Sequence, residues 1–216
     1  MPDLQFAVEG AEAVPYSATP LLALKLRIRN NDSSEHITSI LLQSQIQIET
    51  PRRHYTPQEQ ERLLDLFGEP ERWSQTLRNT LWTHASLNVP TFQGETCAEL
   101  PVPCTFDFNV GATKYFHALE GGTVPLCLLF SGTVFYDDQE RGVQVARIPW
   151  DKEARYKLPV EVWKNVMDAY YPNTAWLALR RDVFDRLHQY KMQSGLATWE
   201  EALDALLAAS RKGAPA

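Results

Sequence analysis

The sequence has little cysteine and no metal-binding pattern. Its cysteines are Cys97, Cys104 and Cys127, with six residues between the first two. Zinc sites usually combine two C-x2-C or C-x4-C pairs, or one such pair with closely spaced histidines. If residues 97–104 formed one strand, positions seven apart would point to opposite faces and would not chelate one ion. We predict that all three cysteines are structural core residues and that no metal is bound.

Long apolar runs and a secretory signal are also missing. No segment approaches the roughly 18 apolar residues that a membrane-spanning helix needs. The first ten residues, MPDLQFAVEG, do not place a basic region before an apolar one. We therefore expect a cytoplasmic protein without a membrane span, in which a disulfide between Cys97 and Cys104 is unfavourable.

Positive charge is scarce, because 21 Lys and Arg residues stand against 27 Asp and Glu residues and the net charge is −6. Nucleic-acid-binding proteins need clustered basic side chains that face phosphates, so we expect no nucleic-acid partner. The one compact basic group is Arg52, Arg53 and His54, in the segment PRRH. Two arginines at the end of a strand are typical of a solvated edge, and a phosphate site is the alternative.

Motifs of common enzyme classes are absent. The sequence contains no H-E-x-x-H, no G-x-x-x-x-G-K, no G-x-G-x-x-G and no G-x-S-x-G. Gly121 and Gly122 precede a predicted strand and are typical of a turn, whereas a phosphate cradle needs backbone amides at a helix start. Gly132, which follows Ser131, predicts a bulge or a bend in a long strand. We predict no cofactor and no catalytic residue.

The first 150 residues do contain a clear period of two. Apolar positions alternate with polar ones from Leu22 to Ile28, and again over 37–49 after a turn. These two runs predict an antiparallel pair. Pro101 and Pro103 mark an edge or a kink. The other strand candidates are QFAVEG, TLWTHASLNV, CAELPV, CTFDFNV, PLCLLFSGTVFY and GVQVARI. Together they predict an α+β protein with an antiparallel β-sandwich-like body.

Helical patterns occupy an insert at 56–80 and the C-terminal part. In the insert, Thr56 and Glu59 are spaced as a capping box. A second capping box, Thr198 and Glu201, opens the last helical pattern. We predict a body over 1–157 that contains the insert, C-terminal helices over 158–210 that pack on this body, and a frayed tail over 211–216.

The segment PWDKEARYKLP, residues 149–159, is the most unusual polar stretch, and three interpretations are open. Asp151 and Glu153, with His117, could serve acid–base chemistry if a cleft raised one pKa. A solvated linker is the second, in which Trp and Tyr clamp the body to the helices. A recognition surface is the third, because Trp, Tyr and Arg are the usual interface anchors. The candidate interaction or cleft residues are Trp150, Asp151, Glu153, Arg155, Tyr156, Arg52 and Arg53.

Nearly the whole chain resembles one uncharacterised bacterial domain family, found largely in actinobacteria and their relatives. The resemblance is carried by PRRHYTPQEQERLLDLFGEPERW, ELPVPCTFDFNV, KYFHALEGG, VPLCLLFSGTVFY and PWDKEARYKLPVEVW. Genes of that family tend to occur beside those of high-affinity nickel–iron hydrogenases. The motifs are specific to the family but carry no known activity, so the resemblance supplies no catalytic or ligand residues. It implies an accessory role, and this implication rests on gene neighbourhood.

Three functions remain as hypotheses. The first is a non-enzymatic accessory or assembly factor that binds a protein partner, a hydrogenase subunit or maturation protein being the implied one. The second is an enzyme or small-ligand-binding protein with a cleft at the joint between Trp150 and Tyr156. The third and weakest is a metal carrier that uses Cys97, Cys104 and histidines.

Overall fold

The computed structural model describes residues 2–32, 34–104, 110–138, 140–175 and 177–213. The chain divides into two compact units, Met1–Thr174 and Ala175–Ala216. This boundary lies later than the predicted one at 157, so the first C-terminal helix belongs to the same unit as the sheets. That the C-terminal helices pack on the body stays a prediction. The last three residues of the predicted frayed tail lie outside the described residues.

The first unit is built on two antiparallel sheets. The strands are β1 (Leu4–Ala13), β2 (Leu21–Asn30), β3 (His36–Ile48), β4 (Thr80–Val89), β5 (Phe92–Gln93), β6 (Glu95–Pro103), β7 (Thr123–Asp138), β8 (Gly142–Arg147) and β9 (Glu153–Pro159). The three-stranded sheet has the order β1-β2-β6, and the six-stranded sheet has the order β4-β3-β7-β8, with β5 also paired to β3 and β9 to β7. The predicted fold class is confirmed.

The core lies between the two sheets. Leu22, Leu24 and Leu26 of β2 are fully buried, as their alternation with polar residues predicts. Phe6 of β1 stacks on Phe130 of β7 with ring centroids 4.3 Å apart. Because these rings come from different sheets, their contact joins the two buried faces into one apolar layer.

The predicted pairing of the two alternating runs is wrong. Strand β2 pairs with β1 and β6, whereas β3 pairs with β4, β5 and β7 in the other sheet. The connection between them crosses from one sheet to the other instead of forming a hairpin. Buried Asn30 supports the crossing, since its Oδ1 accepts from the backbone N–H of Asp3 at 3.0 Å. Alternation shows only that each strand buries one face. A hairpin of β2 with β3 and a placement of the two strands in different sheets both satisfy that condition.

Strand β6 runs through Pro101 and Pro103 without a kink. Both residues keep their pairing with β2, opposite Ala23 and Leu21. In the part of the chain that the structure describes, β6 has a neighbouring strand on one side only, and residues two apart direct their backbone nitrogens to the same side. The two missing N–H groups therefore fall on the free edge, where proline is tolerated. The predicted strand CTFDFNV lies mostly outside the described residues.

Seven short helices are seen in the described residues: α1 (Pro57–Arg62), α2 (Leu64–Phe67), α3 (Trp73–Thr76), α4 (Val110–Ala118), α5 (Val160–Tyr170), α6 (Arg181–Gln193) and α7 (Trp199–Gly213). The capping box of Thr56 and Glu59 at α1 is confirmed. Helix α5 lies against α4 through Trp163, which stacks on Phe116 at 4.9 Å between ring centroids. Among these helices, none has both the length and the apolar character needed to cross a membrane.

The second unit contains α6 and α7. The capping box of Thr198 and Glu201 is confirmed, with the Glu201 N–H donating to Thr198 Oγ1 at 3.1 Å. Trp199 lies 5.3 Å from Phe184 between ring centroids. Helix α6 buries none of its residues. Among the described residues of this unit, the exposed large apolar side chains are Leu177, Leu179, Phe184, Met192, Leu203, Leu206 and Leu207.

Candidate functional site

The segment 149–159 is a turn followed by a strand. Strand β9 pairs antiparallel with the first half of β7 and so extends the six-stranded sheet. Trp150 and Asp151 lie in the turn before β9. Trp150 is 92% exposed, so it does not clamp one part of the protein to another. The interpretation of this segment as a solvated linker with a Trp clamp is therefore wrong.

Trp150 borders a groove on the face of the six-stranded sheet that is turned away from the core. The groove has a volume of about 740 Å³. Cross-strand pairing puts Asn88, Leu41, Thr133 and Arg147 in one row across four strands. A parallel row contains Ser86, Gln43 and Ser131. We call this site the Trp150 groove, and its further lining residues are Leu42, Leu87, Gly132 and Ile148.

Gly132 allows β3 and β7 to approach closely beneath the groove. Its φ of +144° is a conformation that L side chains rarely adopt, and an added Cβ would overlap the carbonyl oxygen of Leu41. The pairing with β3 keeps its register across Gly132. The predicted bulge is therefore wrong at this glycine, and the alternative of a bend stays a prediction.

The Trp150 groove joins an exposed apolar strip. Leu41 is half exposed, and Val143 and Val145 of β8 are each about 60% exposed. Val145 pairs with Phe135, so it lies on the same face as Arg147 of the groove. Polar side chains at the groove, including Gln43, have no hydrogen-bond partner among the described residues. The face thus offers apolar contacts and unused hydrogen-bonding groups side by side.

A second site lies at the opposite end of β3 and β9. Two adjoining cavities of about 460 and 350 Å³ share Arg52, Pro125 and Lys157 as lining residues. The larger extends between the 3₁₀ turn at Thr50–Arg52 and the loop at 120–123, and the smaller reaches Tyr156. We call both cavities together the Arg52 cleft. It brings together four of the predicted site residues, Arg52, Arg53, Arg155 and Tyr156.

A buried carboxylate lies beneath the cationic rim of the Arg52 cleft. Glu49 Oε1 is 3.4 Å from Arg52 Nε and 3.5 Å from Arg155 Nε. The Glu49 side chain is only 6% exposed, whereas those of Arg52 and Arg155 are 59% and 50% exposed. Arg155 also pairs through Nη1 with Glu153 Oε1 at 2.8 Å. The Glu49 carboxylate is therefore underneath, and the guanidinium groups of Arg52 and Arg155 face the solvent.

Arg53 is a wall of the cleft and not part of a solvated edge, so that prediction is wrong for this residue. Its side chain is 8% exposed and its Nη2 lies 2.7 Å from Glu59 Oε1, which is 2% exposed. Arg53 also donates to the carbonyl oxygens of Gly121 and Thr123, while its Nε has no hydrogen-bond partner among the described residues. The pair fixes the start of the helical insert against the 120–123 loop.

Hydrogen bonding keeps Glu59 ionised despite its burial. Burial alone would raise the pKa of the Glu59 carboxyl group. The backbone N–H groups of Glu120 and Thr56 donate to it at 2.9 and 3.1 Å, and Arg53 adds a charged partner. Together they outweigh burial, so the pKa of Glu59 is lowered from its ordinary value.

The three acid–base candidates do not converge on either site. Asp151 is exposed, and the Glu153 carboxylate is paired with Arg155. His117 lies in α4 with its ring 5.0 Å from that of Trp163, and burial lowers its pKa. None of the three lines the Trp150 groove or the Arg52 cleft.

The cysteines are free thiols in different environments. Cys97 is exposed, so its assignment to the core is wrong, whereas Cys104 and Cys127 are buried. Seven residues of extended chain place Cys97 and Cys104 roughly 23 Å apart. Burial raises the pKa of the Cys104 thiol to about 12. Within the described ranges, no group of three or more His, Cys, Asp or Glu side chains could hold a metal ion.

Sequence reasoning missed Glu49, Lys157 and Leu41. Glu49 ends an alternating run and Lys157 lies in a polar segment, so neither stands out in the pattern. Their proximity results from strand register, since Pro125 pairs with Lys157 and accepts a hydrogen bond from the Glu49 N–H. Leu41 faces away from the core, which its alternation in β3 does indicate.

Comparisons with known proteins identify a family but no activity. A comparison with curated proteins gives no significant match. Among solved structures, beta-glucosidase 3B from Thermotoga neapolitana in complex with alpha-D-glucose is 11% identical, with a TM-score of 0.25, over 72% of this chain and 17% of that one. The putative ApaA protein from Bordetella pertussis is 14% identical, with a TM-score of 0.23, over 73% and 93% of the chains.

The chain thus spans less than a fifth of the glucosidase, and at such low scores neither likeness bears on fold or function. A family model matches residues 1–215. The protein therefore belongs to DUF6084, a family of unknown function.

Proposed function

We propose that the protein is a non-enzymatic accessory or assembly factor that binds a partner protein at the Trp150 groove. The observation that carries this proposal is the exposure of Trp150 beside Leu41 and the unpaired polar side chains of the sheet. Tryptophan is enriched among residues that dominate binding energy, because it buries a large apolar area and still donates a hydrogen bond. An exposed Trp bordered by apolar and polar groups has the composition of such an anchor.

The strip of Val143, Val145 and Leu41 extends the groove into a larger apolar surface. Contiguous exposed apolar surface on a monomer commonly marks an interaction site. The exposed leucines of α7, Leu203, Leu206 and Leu207, are a second surface of this kind in the other unit. Both surfaces favour protein binding over catalysis.

We further propose that the partner is a subunit or maturation protein of a nickel–iron hydrogenase in the bacterial cytoplasm. The support for this assignment is the sequence resemblance and the gene neighbourhood that it implies. It is separate from the docking proposal, which depends only on the surface.

The docking proposal is tested by photo-crosslinking in cells of the source organism. A photoreactive amino acid replaces Val145 beside the groove or, as a control, the fully exposed Tyr16 between β1 and β2. We expect a covalent adduct with one protein from position 145 and none from position 16. An equal adduct from both positions, or none from position 145, would contradict docking at the groove. An adduct with a protein unrelated to hydrogenase would support docking at the groove but contradict the proposed identity of the partner.

A second candidate function is the binding of a small ligand at the joint. The specific observation that favours it is the Arg52 cleft, where Arg155 and Tyr156 of the 149–159 segment meet Arg52 and Arg53.

A further inference from the structure

The cationic groups of the Arg52 cleft have more donors than their protein partners use. Arg52 and Arg155 each direct Nε to the same Glu49 oxygen, at 3.4 and 3.5 Å. Arg155 uses Nη1 for Glu153. Among the described residues, neither nitrogen of the Arg52 Nη pair has a hydrogen-bond partner, and neither does Lys157 Nζ.

The excess of positive charge is confined to the smaller cavity and its rim. There Arg52, Arg155 and Lys157 supply three positive charges, and Glu49 and Glu153 supply two negative ones, which leaves one positive charge. The larger cavity adds Arg53 and the carboxylates of Glu59 and Glu120, so the cleft as a whole is balanced. The Glu49 carboxylate is also buried beneath the arginines. A ligand that enters the smaller cavity therefore meets the exposed side chains of Arg52 and Lys157 above a buried carboxylate, in a protein whose net charge is −6.

A purely structural role does not account for the geometry of Arg52. A guanidinium that serves only to neutralise a carboxylate usually forms two parallel hydrogen bonds to it, at about 2.7–2.9 Å. Arg155 has one contact of this length, at 2.8 Å from Glu153, whereas Arg52 uses a single nitrogen at 3.4 Å from Glu49. The remaining N–H groups of Arg52 form a fork with the shape that matches a carboxylate or phosphate.

We infer that the Arg52 cleft binds a small molecule through a carboxylate or phosphate group. Arg52 and Lys157 line both cavities, so the oxyanion lies at their junction and the rest of the molecule occupies either side. The two volumes, about 460 and 350 Å³, fall within the range of small-molecule sites. The Tyr156 hydroxyl is protonated at neutral pH and can donate a hydrogen bond, and burial raises its pKa further.

This inference gives the small-ligand candidate a defined site and ligand class. It is independent of the docking proposal, because the Arg52 cleft and the Trp150 groove share no lining residue. A W150A variant should therefore still bind the ligand at the Arg52 cleft but lose binding of the protein partner. One proposal can thus be refuted without the other.

Isothermal titration calorimetry at pH 7 and low ionic strength tests the inference with two probes, inorganic phosphate and citrate. Wild type should bind at least one of them in a 1:1 complex. R52Q and K157Q should each weaken binding about tenfold, which is the loss expected for one charge-assisted contact. Binding of phosphate alone identifies a phosphorylated ligand, and binding of citrate alone identifies a carboxylate ligand.

The matched control is R27Q, which removes a partly exposed arginine from its ion pairs with Glu9 and Glu95 in the other sheet. R27Q should bind as tightly as wild type. K157Q breaks no side-chain hydrogen bond or ion pair among the described residues, so it reports on binding even if R52Q unfolds. The inference is overturned if wild type binds neither probe, or if R27Q weakens binding as much as K157Q does.

Discussion

Removing the Glu59 carboxylate should lower the free energy of unfolding by more than removing an exposed charge does. In E59A, the buried Arg53 guanidinium loses its 2.7 Å partner, and the N–H groups of Glu120 and Thr56 lose their acceptor. Breaking one partner of a buried ion pair costs about 3–5 kcal/mol. This figure already includes the capping box, whose loss alone costs about 1 kcal/mol.

Urea denaturation gives the free energy of unfolding for wild type and E59A. The control is E12A, which breaks the exposed pair of Glu12 and Lys25, each about half exposed. An exposed pair contributes about 1 kcal/mol at most. A loss in E59A as small as that in E12A would refute the claim that the Arg53–Glu59 pair holds the insert.

The same pair predicts a pH dependence. Because the pKa of Glu59 is lowered in the folded protein, its contribution to stability is complete above the unfolded value of about 4.3 and disappears as pH falls through the folded value. The stability difference between wild type and E59A should therefore shrink on acidification. A difference that stays constant from pH 7 to pH 3 would contradict an ionised Glu59.

Two further substitutions test local features. G132A should lower the free energy of unfolding by about 3 kcal/mol, because φ is positive and the added Cβ overlaps the Leu41 carbonyl oxygen. G121A, with open space at its Cβ, is the control, and equal effects would contradict the close approach of β3 and β7. In a thiol-reactivity assay, one cysteine should react quickly in the folded protein. C97S should abolish that fast phase, since Cys104 and Cys127 are buried; a fast phase that persists in C97S would contradict this assignment.

Local signals in the sequence predicted local structure well. Both capping boxes are confirmed because a cap depends on side chains and backbone groups within one helical turn. The predicted burial of Leu22, Leu24, Leu26 and Ile28 is confirmed, because alternation alone decides which face of a strand is apolar. The same alternation does not encode which strand is the neighbour, so the predicted pairing of β2 with β3 failed.

The two sites depend on long-range register, and this limited their prediction. Arg52 and Arg155 were candidates for their residue types, but their common partner Glu49 is 106 positions from Arg155 in the sequence. Strand β9 was missed because polar residues occupy its outward face and hide the alternation in the sequence. Its extended conformation is stabilised by pairing with β7, which is distant in the sequence. Trp150 was singled out for its residue type, whereas its exposure became visible only in the fold.

The most direct test of the central claim is the affinity of the crosslinked partner for W150A. Because Trp150 is 92% exposed, W150A should change the free energy of unfolding by less than about 0.5 kcal/mol. Loss of an interface anchor costs about 2 kcal/mol or more, so the Kd should rise at least about 30-fold. Y16A, which removes an equally exposed aromatic ring, should leave Kd unchanged. An unchanged Kd in W150A, or an equal rise in Y16A, would contradict protein docking at the Trp150 groove.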